Sequence, residues 1–380
     1  MHLFDHAAAT PMRASVRAAL ASAEPLANPA STHREGQRAR AVLEDARERL
    51  AATLGAHPTE VVFTSGGTES INLALKGSWW AAADAAAAGV AGPLVVPVGE
   101  HHATLDAVEW LERQGAQVRW VPIDASAVTD LTAFRAAVEA APTASVATLL
   151  VASNELGSLQ PIVEAAAASA AAGVPLHLDA VGAFGRMPLR FDETGAALMS
   201  VASHKLGGPH GVGALVVRRD ARLHALHHGG GQQRGLRSGT QDALGASLFA
   251  LAAEEALAEL EAESVRLRTL TDRILSVAAT LPGVRLLAAT ERLPGIAHLV
   301  VEAAEGESLQ FLLDDAGFAV SNGSACSAGV ARESHVVRAC GLEGVAPLRL
   351  SLGRTTTEAE VDALLAALPA AVERARALAT

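Results

Sequence analysis

The feature that most constrains this chain is an alternation. Short runs of β-branched and aliphatic residues occur at VVFTS (61–65), PLVVPV (93–98), QVRWVPI (117–123), SVATLLVAS (145–153), VPLHLD (174–179), ALMSVAS (197–203) and GALVVR (213–218). Helical segments such as 68–88, 103–115, 131–141 and 161–173 separate most of them. Runs that are apolar throughout, not only at every second residue, belong to strands covered on both faces. The pattern predicts an α/β fold with a mostly parallel seven-stranded sheet. Beyond residue 240 it changes to a long amphipathic helix (241–280), short strands and a closing helix (356–378). We read a large α/β domain over 16–247 and a smaller α+β domain made of 1–15 with 248–380.

Composition narrows the class. With 380 residues, 50% hydrophobic and 19% charged, the chain can bury more than one core. A net charge of −11 and the lack of any basic block argue against nucleic-acid binding. The opening MHLFDHAAATPM carries no positively charged leader, and the alanine-rich stretch 81–91 is interrupted by Asp84 and Gly89, with Pro93 just beyond. No run is apolar enough to cross a membrane, and a cytoplasmic protein is expected. Cys326 and Cys340 cannot form a disulfide framework and lack C-x-x-C spacing, so no metal is expected.

In open α/β sheets ligands sit beyond the carboxyl ends of the strands, so the polar residues there matter most. The run 61–65 passes into GGTES, where Gly67 and Thr68 open a helix. That terminus suits a phosphate, although a capping box gives much the same letters. Later ends supply His101 and His102, Asn154 and Glu155, Asp179, and finally Ser203, His204 and Lys205. Singly, each has an ordinary reading: exposed histidines at a helix start, Asp179 as an N-cap, Lys205 snorkelling from a loop. Together they match one cofactor, pyridoxal 5′-phosphate. It needs a lysine for a Schiff base, a carboxylate for its pyridine nitrogen, a polar partner for its phenolic oxygen and a helix N-terminus for its phosphate. Only a neutral amine attacks an aldehyde, which explains a lysine at the end of an apolar strand.

FTSGGTESINLALKG, GEHHATLDAVEWLE, HLDAVGAFGRMPL, SHKLGGPHGVGALVVR, GGGQQRGLRSGT and SNGSACSAGV followed by SLGRTTTEAEV occur in a telling order and spacing. In both, the chain resembles the pyridoxal-phosphate cysteine desulfurases of the NifS/IscS type, within the class V aminotransferase group. The resemblance runs from FDHAAATP at residue 4 to the closing helix. It implies aminotransferase fold type I, a homodimer, and conversion of L-cysteine to L-alanine. It also implies Lys205 as the Schiff-base lysine, Asp179 as partner of the pyridine nitrogen, and Asn154 on the phenolic oxygen. His101 is implied to stack on the ring and to move protons near the leaving thiol. Gly67, Thr68 and His204 fall on the phosphate, and Thr240 of RSGT on the phosphate of the partner subunit. Asn28 of NPAS and Arg354 of SLGR are implied to grip the substrate carboxylate.

Cys326 sits among small residues in SNGSACSAG, which reads as an exposed loop instead of core. The resemblance makes it the nucleophile. Its thiolate attacks the substrate sulfur, and the persulfide passes to a protein acceptor such as an iron–sulfur scaffold or a sulfur carrier for tRNA thiolation. The stretch from Cys326 through ESHVVRACGL has the length of the family's long-loop subgroup, and Cys340 reads as packing. Two positions depart from the family pattern. Gly182 stands where the family carries a glutamine for the phenolic oxygen, and Ala202 where it carries a phosphate-binding serine, with Ser203 the candidate substitute. The rival within enzymes is a related class V enzyme (a selenocysteine lyase or an aminotransferase), and Gly182 keeps open a low-activity, cofactor-binding docking partner for sulfur carriers. The thiol argues against an aminotransferase.

Overall fold

A computed structural model describes every residue except 88, 288, 324–333 and 380. The seven apolar runs all become strands of one sheet. Its order is Val61–Thr64, Gly213–Val217, Leu198–Ala202, Leu176–Asp179, Val146–Leu150, Leu94–Pro97, Val118–Val121. Pairing is parallel except at Gly213–Val217, which runs antiparallel to both neighbours. Every strand but Val118–Val121 is buried along its whole length, as continuous apolar runs require. That edge strand exposes Arg119 and Trp120.

Alternate residues of the strands face opposite sides of the sheet. Val95 packs with Phe134 and Val138 of the helix Leu131–Glu139, whereas Leu94 and Val96 pack with Ile71, Val108 and Leu111. Helices therefore cover both faces. Residues 34–54 fall outside the strand and helix pattern read from the sequence, yet they form the helix Arg34–Leu54. Its many charges hide a buried stripe of Leu43, Ala46, Leu50 and Leu54. Arg49 forks onto Glu254 of the long helix Ala243–Ala278, with distances of 2.9 and 2.6 Å.

A second core gathers around a three-stranded antiparallel sheet, ordered Val345–Ser351, Ile296–Glu302, Val284–Leu286. Leu299, Leu309, Leu348 and Leu364 fill it. The long helix serves both cores, giving Phe249 and Ala253 to the first and Leu270 and Ile274 to the second. The N-terminus starts at the smaller unit, where His2–Leu3 pairs in parallel with Phe318–Ala319 and Phe4 enters its core. It then runs back to the carboxyl edge of the large sheet. Register levels that edge, for Leu150, Asp179 and Ser200 share one row. Among the described residues no helix is long and apolar enough to cross a membrane. None of their His, Cys, Asp and Glu side chains group in threes that could hold a metal ion.

Candidate active site

Beyond that edge lies a cavity of about 340 Å³, within the size range of small-ligand sites. Its wall includes Lys205, Asp179, Asn154, His101 and His204, with Gly67 and Thr68 at one end.

The helix Gly67–Ala85 starts directly after the strand Val61–Thr64. Gly66 turns the chain with φ at 148°, a conformation that favours glycine. A Cβ on Gly67 would stand 2.6 Å from Val181 Cγ2, so backbone replaces side chain at this end of the wall. The first N–H groups of a helix have no partner within it and attract anions.

Asp179 ends its strand fully enclosed, 3% exposed. Its Oδ1 accepts the Val181 N–H at 2.9 Å. Burial raises its pKa to about 6, against that hydrogen bond and the Lys205 charge. Such a carboxylate is poised for a cationic partner. The buried Oδ1 of Asn154 has no hydrogen-bond partner among the described residues, a vacancy that a ligand donor or an amide flip can fill.

His101 caps the helix His102–Arg113, its Nδ1 accepting the Ala103 N–H at 3.0 Å, and it also lines the cavity. Burial, then Lys205, lowers its pKa to about 4. The ring is therefore neutral at pH 7, and the accepting Nδ1 leaves the proton on Nε2. His204, lowered to about 4 chiefly by burial, stacks on His210 with centroids 5.6 Å apart. Lys205 closes the single turn Ser203–Lys205, and its amine donates to the carbonyls of Ala7 and Ala8.

Other expected residues lie elsewhere. Ser203 is fully buried and does not line the cavity; its Oγ lies beside Gly208. Asn28 is exposed, its Oδ1 accepting the Ala30 N–H at 2.9 Å, and Arg354 donates Nη2 to the Pro11 carbonyl at 2.6 Å. Neither reaches the wall. Thr240 is exposed and also off it. Cys326 lies outside the described residues. Cys340 is buried against Ala127, Leu156 and Val336, with burial pushing its thiol up to about 11, which makes it a packing residue.

Sequence reasoning missed two guanidinium groups in the wall, those of Arg186 and Arg349. Arg349 is 3% exposed. It pairs with Asp5 at 2.8 Å, donates to the Asn154 carbonyl at 2.9 Å, and keeps a buried Nε without a partner among the described residues. The signal was available: an arginine inside the apolar run PLRLSL is as anomalous as Lys205 after ALMSVAS.

The model of the aminotransferase class-V family matches residues 2–364. An IscS-like cysteine desulfurase of Mycobacterium tuberculosis is 46% identical over 99% of this chain and 97% of that protein. The cysteine desulfurase IscS of Methanosarcina thermophila is 35% identical over 98% of this chain and 92% of its own length. Among solved structures, a NifS-like protein superposes with a TM-score of 0.88 at 30% identity, covering 98% of this chain and 99% of that one. SspA in complex with cysteine does so with a TM-score of 0.81 at 29% identity, covering 93% and 99%. With a strand-end cavity of this composition and a family match over nearly its whole length, the chain belongs to the class-V aminotransferases.

Proposed function

We propose that the chain is a cysteine desulfurase that converts L-cysteine to L-alanine and leaves the sulfur as a persulfide on Cys326. The observation that carries this is the meeting of Lys205, Asp179, Asn154, His101 and an open helix N-terminus on one cavity. The names of the relatives point the same way.

Pyridoxal 5′-phosphate is the cofactor of this family, and the residues present fit it. Gly67, Thr68 and His204 would hold the phosphate at the helix terminus, where backbone already replaces side chain. Asp179 would keep the ring nitrogen protonated, the cation its buried carboxylate is poised for. Asn154 would serve the phenolic oxygen, and His101 the face of the ring. When bound, the cofactor supplies an electron sink that makes the Cα–H of the amino-acid substrate acidic.

The remaining work falls to the chain. Lys205, once neutral, removes the Cα proton. His101, neutral and carrying its proton on Nε2, serves the departing sulfur. The Cys326 thiolate attacks the substrate sulfur, so a C–S bond breaks as an S–S bond forms and alanine is released after protonation. We give the substrate carboxylate to Arg349, which lines the cavity, in place of Asn28 and Arg354, which do not.

The two cores are read as two domains, 16–247 and 1–15 with 248–380. A homodimer would bring the exposed Thr240 to the partner subunit's phosphate. The persulfide then passes, in the cytoplasm, to an iron–sulfur scaffold or a sulfur carrier. The test is sulfide and alanine production from L-cysteine with a reductant. Equal amounts from the native chain, lost in Cys326→Ala while the visible cofactor band remains, support the proposal. A cofactor band without alanine from the native chain overturns it.

A further inference from the structure

The stretch 324–333, which carries Cys326, begins after Gly323 and ends before Ser334. One carboxylate meets both of those residues. Ser334 donates its hydroxyl to Glu155 Oε2 at 2.5 Å. Gly323, with φ at 90°, packs so closely that a Cβ there would stand 2.7 Å from the same oxygen. The next residue is also fastened, since His335 Nε2 donates to the Glu100 carbonyl at 2.9 Å. Glu155 directly follows Asn154, and Glu100 directly precedes His101. Each fastening is thus one residue from a side chain of the cavity wall.

The geometry is held from both sides. The Ser334 oxygen also accepts the Val337 N–H at 3.1 Å, capping the helix His335–Ala339, so its hydroxyl hydrogen is left to point at Glu155. Glu155 is 3% exposed. Around it stand Arg349 from the strand Val345–Ser351 and the Cys340 thiol after the capped helix, and burial brings its pKa to about 7. A buried carboxylate kept against a glycine and a serine from opposite ends of one stretch is a specific arrangement, because most side-chain hydrogen bonds go to backbone or water and not, as here, to another side chain.

We infer that Glu155 is a positioning residue that holds together the two ends of the Cys326-bearing stretch and ties them to the cofactor wall at Asn154. The inference rests on the desulfurase reading above. Thiolate attack needs reacting atoms about 3–3.5 Å apart, and a misplacement of about 1 Å can cost about 10²-fold in rate.

The test compares full-length, pyridoxal-phosphate-loaded native chain with Glu155→Ala, Glu155→Gln, Ser334→Ala and the Glu155→Ala/Ser334→Ala pair. Alanine release from L-cysteine gives kcat and KM, and the visible band gives cofactor content. The rate of Cys326 alkylation by iodoacetamide, followed on its peptide, reports the thiol without turnover. In Glu155→Ala and Ser334→Ala, kcat should fall about 10- to 100-fold with cofactor content and KM unchanged, and the alkylation rate should change several-fold. Glu155→Gln should keep most of the activity, since its Oε1 still accepts from Ser334. The double variant should lose no more than either single one. The inference is overturned if Glu155→Ala keeps kcat within about twofold of native, if its losses follow lost cofactor, or if the single losses add. An inactive native chain would sink the desulfurase reading alone. The alkylation rates would still decide this one, an unchanged rate in Glu155→Ala counting against it.

Discussion

Lys205 Nζ lies 2.5 Å from the carbonyl oxygen of Ala7, 198 positions earlier in the chain, and 2.9 Å from that of Ala8. The lysine at the end of an apolar strand therefore has partners carried by the N-terminal segment.

Replacing that amine tests its role. Lys205→Ala should lower alanine production from L-cysteine by about 10²–10⁴-fold, the span of a lost general base. Asp179 and the helix terminus remain, so the variant should still take up pyridoxal phosphate. Borohydride should fix the cofactor to the native chain at Lys205 and not to the variant, read from the mass of the tryptic peptide. Fixation at another lysine would refute the assignment.

Asp179 offers a second test because its environment makes it costly to ionise alone. Asp179→Asn keeps the shape and removes the charge that stabilises a protonated ring nitrogen. A charge-assisted hydrogen bond contributes about 1.5–3 kcal/mol, so kcat should fall about 10- to 100-fold. The visible spectrum on adding cysteine should show the loss of the ring proton. Unchanged kcat would remove Asp179 from the mechanism.

The sheet and most of the site were legible because local signals carried them. Continuous apolar runs announced doubly covered strands, and polar residues at their ends announced the cavity wall, as at Asp179 and Asn154. The helix Arg34–Leu54 was not legible, since its charges mask a buried stripe that matters only against the long helix. Arg349 was overlooked for a related reason. Its partners, Asp5 and the Asn154 carbonyl, are brought to it by tertiary folding, and nothing beside it in sequence forecasts them. Ser203 is a different case: adjacency to Ala202 suggested substitution, but Ser203 opens the turn after the strand and its side chain lies buried beside Gly208, off the cavity wall.

Two glycines near the cavity should respond oppositely to side chains. A Cβ at Gly182 meets nothing within 4 Å, and its φ is not positive, so Gly182→Gln should fold with stability within about 0.5 kcal/mol of native. The new amide can reach the cavity, so the pH midpoint of the visible cofactor band should shift. A Cβ at Gly213 would stand 2.6 Å from Gly66 Cα and 2.8 Å from the Val201 carbonyl oxygen, both backbone. Gly213→Ala should cost about 1–3 kcal/mol and weaken cofactor binding, because Gly66 leads into the phosphate-binding turn. Thermal melts and cofactor titrations check both. Equal behaviour of the two variants would contradict this account of the cavity.

Stability of the cofactor-free chain should peak near pH 6.5, because two sets of buried groups pull in opposite directions. Burial lowers His6, His101 and His204 to about 4 and His177 and His298 to about 3. The unfolded chain takes up those protons below about 6.5, so stability falls as pH drops from there. Burial raises Asp179 to about 6, Glu155 to about 7 and Glu100 to about 8. The folded chain keeps those protons after the unfolded chain has lost them, so stability falls as pH rises towards about 8. Between about 4.5 and 6.5 the five histidines outweigh the three carboxyls; above that, Glu155 and Glu100 act alone. Urea midpoints at pH 5.5, 6.5 and 8 should be highest at 6.5. Glu100→Gln, which cannot ionise, should remove much of the loss between 6.5 and 8. A midpoint still rising at pH 8 in the native chain would show that these carboxyls ionise freely, and that the cavity is wetter than its buried wall implies.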